Sequence, residues 1–95
     1  MKNKIIIVGY DPEIIEMILN LDDFFVEGYT DLNKSNNDIF NLSYLGTDEE
    51  FIHDYSYQNS HQIIITIDNT AKRELLFNYY KKYLYEFATV VSKKS

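Results

Sequence analysis

The 95-residue sequence contains no cysteine, one proline and three glycines. The lack of cysteine excludes disulfide bonds, thiolate nucleophiles and cysteine-ligated zinc. No apolar run approaches the ~20 residues that a membrane-spanning helix needs. The apolar run near the start is too short for the hydrophobic part of a signal peptide. We therefore expect a cytoplasmic chain with no membrane partner.

Basic side chains are also scarce. Nine Lys and Arg stand against 15 Asp and Glu, which gives a net charge of −6. The terminal pair Lys93-Lys94 is short, and without a basic patch the chain is not expected to bind nucleic acid. The sequence is 45% hydrophobic and 16% aromatic. This composition predicts a single packed domain over residues 1–95.

Four apolar segments are predicted to be β-strands. Two of these segments are continuous apolar runs that do not alternate with polar residues: Ile5–Val8 and the run within Gln62–Ile67. Such runs are typical of strands that are covered on both faces of a parallel sheet. The other two are Phe24–Thr30 and Phe87–Val91.

Three helices are predicted between these strands. Asp11 is a suitable N-cap for the first, with Pro12 at its first position, and this helix should end near Leu21-Asp22. Thr47 and Glu50 form a capping box for a short second helix, which includes Tyr55. Asn69 or Thr70 caps the long third helix. Aromatic residues at its end are expected to pack in the core or against a neighbouring domain: Tyr79, Tyr80, Tyr83 and Tyr85.

The order β-α-β-α-β-α-β predicts an α/β fold: half of a Rossmann-like fold with a four-stranded parallel sheet and helices on both faces. Ligands of such folds bind at the carboxyl ends of the strands. The predicted ends carry Gly9-Tyr10, Thr30-Asp31 and Asp68-Asn69. Their convergence on one crevice is the main structural expectation.

Several segments together resemble the N-terminal domain of bacterial sugar acyltransferases of the NeuD/PglD kind. They are "KIIIVG", "FFVEGYTD", "YLGTDEEF", "IIITIDNTAKRELLF" and "FATVV", and they cover nearly the whole chain in the family's order. The resemblance implies a Rossmann-like module that binds a UDP-sugar in surface-glycan biosynthesis. In that family, acetyl-CoA binding, trimer formation and the catalytic His belong to a following β-helix of hexapeptide repeats.

No hexapeptide repeat is visible in this sequence, so we expect a truncated chain or a free-standing remnant. The domain itself is predicted to be non-catalytic, without a cofactor or metal site. The homotrimer is expected only with the β-helix domain. His53 and His61 have no apparent nucleophile partner in the sequence, and both are expected to be ordinary surface or partly buried histidines.

The resemblance suggests substrate-binding residues at the three strand ends. Gly9 matches the first glycine of the family's Gly-rich turn, whereas Tyr10 and Asp11 stand where further glycines and a His are usual. Pro12 removes an amide donor and Asp11 repels phosphate, so a capped helix without a ligand is an open alternative.

At the ends of the second and third strands, a ligand contact and a local cap or turn without a ligand are both open alternatives. Asp31 matches the first member of an acidic pair that follows the family's second strand, with Leu32 in place of the second. It is expected to accept hydrogen bonds from ribose or base, or to cap a turn. Asp68 and Asn69 are either ligand contacts or a helix cap. Lys72-Arg73 could reach a phosphate or simply balance the acidic surface.

Three other functions are consistent with parts of the sequence. A small interaction domain that kept the fold and lost its ligand is the main alternative, because only one glycine of the family's Gly-rich turn is present. A response-regulator receiver is disfavoured, since too few residues follow Asp68 for its remaining strands. NAD(P)-dependent oxidoreduction is disfavoured because the Gly-x-Gly-x-x-Gly fingerprint is absent.

Overall fold

The computed structural model describes residues 3–53 and 57–88. Within these residues the regular elements follow the predicted alternation of strands and helices, with one additional strand. In chain order they are β1 (Asn3–Val8), α1 (Pro12–Asn20), β2 (Phe24–Thr30), β3 (Ser43–Tyr44), α2 (Asp48–Ile52), β4 (Gln62–Ile65), α3 (Thr70–Lys82) and β5 (Glu86–Phe87).

The strands form one parallel sheet in the order β3-β2-β1-β4-β5. The central strand β1 is flanked by β2 and β4, so the three apolar segments lie side by side and point the same way, as predicted. This is the strand order of doubly wound folds, whose topological switch point lies between the first strand and the one that begins the second half. Here that point is between β1 and β4.

Each face of the sheet is covered by different elements, because successive side chains of a strand point to opposite faces. On one face, Ile5 and Ile7 pack with Ile15 and Ile18 of α1. On the other, Ile6 and Val8 pack with residues of α2 and α3, among them Phe51, Ile52 and Tyr80. The side chains of Ile5 through Val8 are fully buried. Coverage on both faces explains why this strand is apolar throughout.

The prediction of four strands is corrected to five among the described residues. The additional strand, β3, is two residues long and pairs in parallel with Gly28 and Tyr29. A Cβ at Gly28 would lie 2.5 Å from the Ser43 carbonyl oxygen, so glycine permits the approach of this strand. So short an edge strand leaves no periodic pattern in the sequence.

Two strand boundaries also differ from the prediction. β4 ends at Ile65, two residues before the expected end, and β5 begins at Glu86. The predicted strand residues 89–91 and the predicted helix residue Tyr55 lie outside the described residues. No helix in the described ranges is long and apolar enough to cross a membrane.

The predicted helix starts are confirmed. Asp11 caps α1, Thr47 and Glu50 form both halves of the capping box of α2, and Asn69 caps α3. α3 ends in a Schellman motif, because Leu84 (φ +68°) donates to Lys81 and Tyr85 donates to Tyr80.

Candidate functional site at the carboxyl edge of the sheet

The carboxyl ends of three adjacent strands lie in register. Val8 of β1 is opposite Thr30 of β2 and Ile65 of β4. The amide of Gly9 donates to the Thr30 carbonyl at 2.8 Å, and the amide of Thr66 donates to the Val8 carbonyl at 2.9 Å. The segments that carry Gly9, Asp31 and Asp68 therefore leave the sheet at one edge, as expected.

The turn after β1 is in close contact with the residues that follow β4. Gly9 has a φ of +92°, and a Cβ there would lie 2.9 Å from Cγ1 of Ile67. The buried Thr66 hydroxyl donates to the carbonyls of Val8 and Gly9 at 3.2 and 3.0 Å. Thr66 and Ile67 were predicted as strand residues, but they leave the strand and cover the glycine.

The N-terminus of α1 is already capped by the protein. Oδ1 of Asp11 accepts the amides of Glu13 and Ile14 at 3.1 and 3.4 Å. Pro12 has no amide hydrogen to donate. Because phosphate binds at helix N-termini through free amides, this turn lacks the main feature of a phosphate cradle. The geometry favours the predicted capped helix over a Gly-rich phosphate loop.

Tyr10 is directed toward the loop between β2 and β3. Its hydroxyl donates to Oδ1 of Asp38 at 2.8 Å, and its ring meets Tyr29 edge-on at 5.0 Å between centroids. Burial, followed by the Asp38 hydrogen bond, raises the pKa of Tyr10 to about 12. Burial alone would raise the pKa of Asp38, but hydrogen bonds from Tyr10 and from the Leu42 and Phe40 amides lower it. Tyr10 thus anchors the loop beside the edge.

Asp31 and Leu32 are more accessible. Oδ1 of Asp31 accepts the amide of Leu32 at 2.8 Å, which is a local turn contact. The Asp31 backbone is held on both sides, since its amide donates to Gly46 and its carbonyl accepts the Tyr44 hydroxyl. Leu32 is 73% exposed. A carboxylate on a fixed backbone at the strand ends is a suitable acceptor for ligand hydroxyl groups.

Of the two predicted site residues after β4, one caps α3 and the other is exposed to solvent. Oδ1 of Asn69 accepts the amide of Lys72 at 2.9 Å, as predicted for a cap. Asp68 is exposed. Nε of Arg73 donates to the Ile67 carbonyl at 2.8 Å. This bond holds an exposed guanidinium group beside the end of β4, where it could meet an anion.

A polar cluster near this edge was missed by sequence reasoning. Oδ1 of Asp48, at the start of α2, accepts the hydroxyls of Thr30 and Tyr80 at 2.7 and 2.5 Å. Both donors are fully buried. Burial, followed by the Asp48 charge, raises the pKa of Tyr80 well above its usual value. The partners are 18 and 32 residues from Asp48, and no local motif signals such contacts.

Asp48 also lines a groove of about 570 Å³ between α2 and α3, whose lining includes none of the six predicted site residues.

A second cluster that the sequence did not indicate lies at the opposite end of the sheet. His61 was expected at the surface or partly buried, but it is buried and contacts Ser60 and Glu27. His53 is exposed, as expected. The described residues contain no group of three or more side chains placed to hold a metal ion.

Together, the sheet and its edge define an α/β domain with a Rossmann-like strand arrangement, in which the usual phosphate position is covered. Comparisons with known proteins add no family: no family model matches the chain, and neither a curated protein nor a solved structure does.

Proposed function

We propose that this chain binds a nucleotide-sugar, such as a UDP-sugar, at the carboxyl edge of the sheet, and that this edge does not itself carry out acyl transfer. The observation that carries the proposal is the register of Val8, Thr30 and Ile65, which brings three strand ends to one edge. A switch point between β1 and β4 is the usual ligand position of such sheets. The resemblance to sugar acyltransferases supplies the ligand class. Acetyl-CoA and acyl transfer would belong to a separate β-helix domain.

The details of the edge suggest how the ligand is held. Asp31 accepts hydrogen bonds from ribose or sugar hydroxyls, because its carboxylate is accessible and its backbone is fixed. The phosphates do not lie on the α1 N-terminus, whose amides are taken by Asp11. They lie nearer to Arg73, which supplies positive charge at the end of β4.

NMR titration of the labelled chain with uridine, UDP, UDP-N-acetylhexosamine and CMP tests this proposal. We expect amide shifts clustered at Gly9, Asp31 and Asp68, and tighter binding of UDP than of uridine. Asp31→Asn should weaken all uracil ligands, whereas Asp23→Asn, the same change at the amino end of the sheet, should not. Arg73→Gln should remove the preference for UDP over uridine. Absence of shifts at millimolar ligand would refute nucleotide binding.

A second candidate is an interaction domain that has kept the fold and lost the ligand. It is favoured by one specific observation, the occupation of the turn after β1: Asp11 takes two amides and Ile67 covers Gly9. This candidate predicts a silent titration with every nucleotide, together with unchanged folding of the Asp31→Asn variant.

A further inference from the structure

Three polar side chains form a chain of hydrogen bonds near the amino end of the sheet, away from the candidate ligand edge. Oγ of Ser60 lies 2.6 Å from Nδ1 of His61, and Nε2 of His61 lies 3.1 Å from Oε1 of Glu27. His61 is only 7% exposed, and the Tyr57 ring packs against it edge-on. Glu27 is the extra residue of a β-bulge, since Val26 pairs with Ile5 and Gly28 pairs with Ile6.

When the imidazole is neutral, which is the form that can act as a base, the hydrogen-bond partners determine the direction of each bond. An ionised carboxylate can only accept, so the Glu27 contact requires the proton of the neutral imidazole to be on Nε2. Nδ1 is then an acceptor, and the hydrogen between it and Oγ must come from Ser60. The hydroxyl of Ser60 is therefore polarised by a base that is itself oriented by a carboxylate. This is the arrangement of a nucleophile, a general base and an orienting acid, which is recognised by geometry and not by order in the sequence.

The nucleophile is accessible although the base is buried. Ser60 is exposed, and both Ser60 and His61 line a pocket of about 230 Å³. Lys4, Asn59 and Gln62 also line this pocket, and their side chains carry N–H donors that an oxyanion needs. The volume is below the roughly 300 Å³ at which ordinary ligand pockets begin, so only a small reactive group would fit.

We propose that Ser60, His61 and Glu27 form a nucleophilic serine site that accepts short acyl groups from activated esters. Oγ of Ser60 attacks the ester carbonyl carbon as its proton passes to Nδ1 of His61. The C–O bond to the leaving group then breaks, and the leaving oxygen takes that proton from Nδ1. Water attacks the acyl-serine in the same way, which releases the carboxylic acid and restores Ser60.

The test is labelling of the full chain with diisopropyl fluorophosphate, followed by peptide mapping. In this reaction Oγ forms a bond to phosphorus, the P–F bond breaks, and fluoride leaves with its electron pair. We expect one label per chain, on Ser60. Ser60→Ala should abolish it, whereas Ser43→Ala, a change at another exposed serine, should label like the wild type. No label, or a label on another residue, would overturn the proposal.

Substitutions of His61 and Glu27 distinguish a loss of serine reactivity from a loss of folding. His61→Gln should slow labelling and p-nitrophenyl acetate hydrolysis by about 100-fold, the usual contribution of a general base. Because His61 is buried, this variant could fold poorly, and Glu27→Gln provides a second test at a partly exposed position. The amide of the new glutamine can donate to Nε2 and favour the other tautomer of His61. We therefore expect the labelling rate to fall at least roughly tenfold while the NMR spectrum remains that of a folded protein. An unchanged labelling rate in folded Glu27→Gln would contradict the assigned roles.

Discussion

Replacing Asp48 by alanine should destabilise the domain more than any other single change at the start of α2. The carboxylate accepts two hydroxyl hydrogen bonds, from Thr30 at 2.7 Å and from Tyr80 at 2.5 Å. Both donors are fully buried, so neither can turn to water when the acceptor is lost. Each unsatisfied buried donor costs about 1–3 kcal/mol, so we expect a total loss of roughly 2–6 kcal/mol.

Urea unfolding followed by circular dichroism measures this loss. Glu49→Ala is the matched control, because it removes an exposed carboxylate from the same helical turn and should change stability by less than about 0.5 kcal/mol. Tyr80→Phe removes one donor and leaves the Thr30 bond intact. The double variant Asp48→Ala/Tyr80→Phe should lose less than the sum of the single losses, because the two residues share an interaction. If Asp48→Ala loses no more stability than Glu49→Ala, the buried network does not stabilise the fold.

Four further predictions follow from the local geometry. Gly9→Ala should cost about 1–3 kcal/mol in urea unfolding, because its φ of +92° and the 2.9 Å approach to Ile67 both disfavour a Cβ. Asp11→Ala should lose about 1 kcal/mol of helix capping, and it should strengthen phosphate binding in the NMR titration by freeing two amides. Leu84→Gly should stabilise the chain by about 1 kcal/mol, because Leu84 is left-handed at the end of α3 and 78% exposed. The pKa of Tyr10 is raised from 10.0 to about 12, so its contribution to the free energy of unfolding is complete below pH 10 and is lost as the pH rises through 12. Tyr10→Phe should remove this pH-dependent loss of stability, and ultraviolet titration of the variant should show one fewer tyrosine that ionises at high pH.

Much of the fold could be predicted from local patterns. The apolar run Ile5–Val8 indicated a strand buried on both faces, and the caps at Asp11 and Asn69 gave the starts of two helices. These features depend on residues within one or two turns of each other. The two-residue strand β3 was missed because its pairing depends on Gly28, far from it in the chain.

The candidate site was only partly predictable. The sequence indicated that the ends of three strands would meet, and the order of the strands confirms it. It did not indicate that Thr66 and Ile67 would leave β4 and cover Gly9, because an apolar residue after a strand is equally consistent with a longer strand. The pairing of His61 with Glu27 spans 34 residues and leaves no local signal.

The sequence by itself determined the alternation of apolar strands and capped helices, and with it the parallel sheet, since crossover connections through helices join strands that run the same way. Only the tertiary structure decided which distant polar groups meet: Asp48 with Thr30 and Tyr80, and His61 with Glu27. The reason is physical. Secondary structure follows from spacing within a short segment, whereas a hydrogen bond between distant residues depends on how the sheet and helices pack around them.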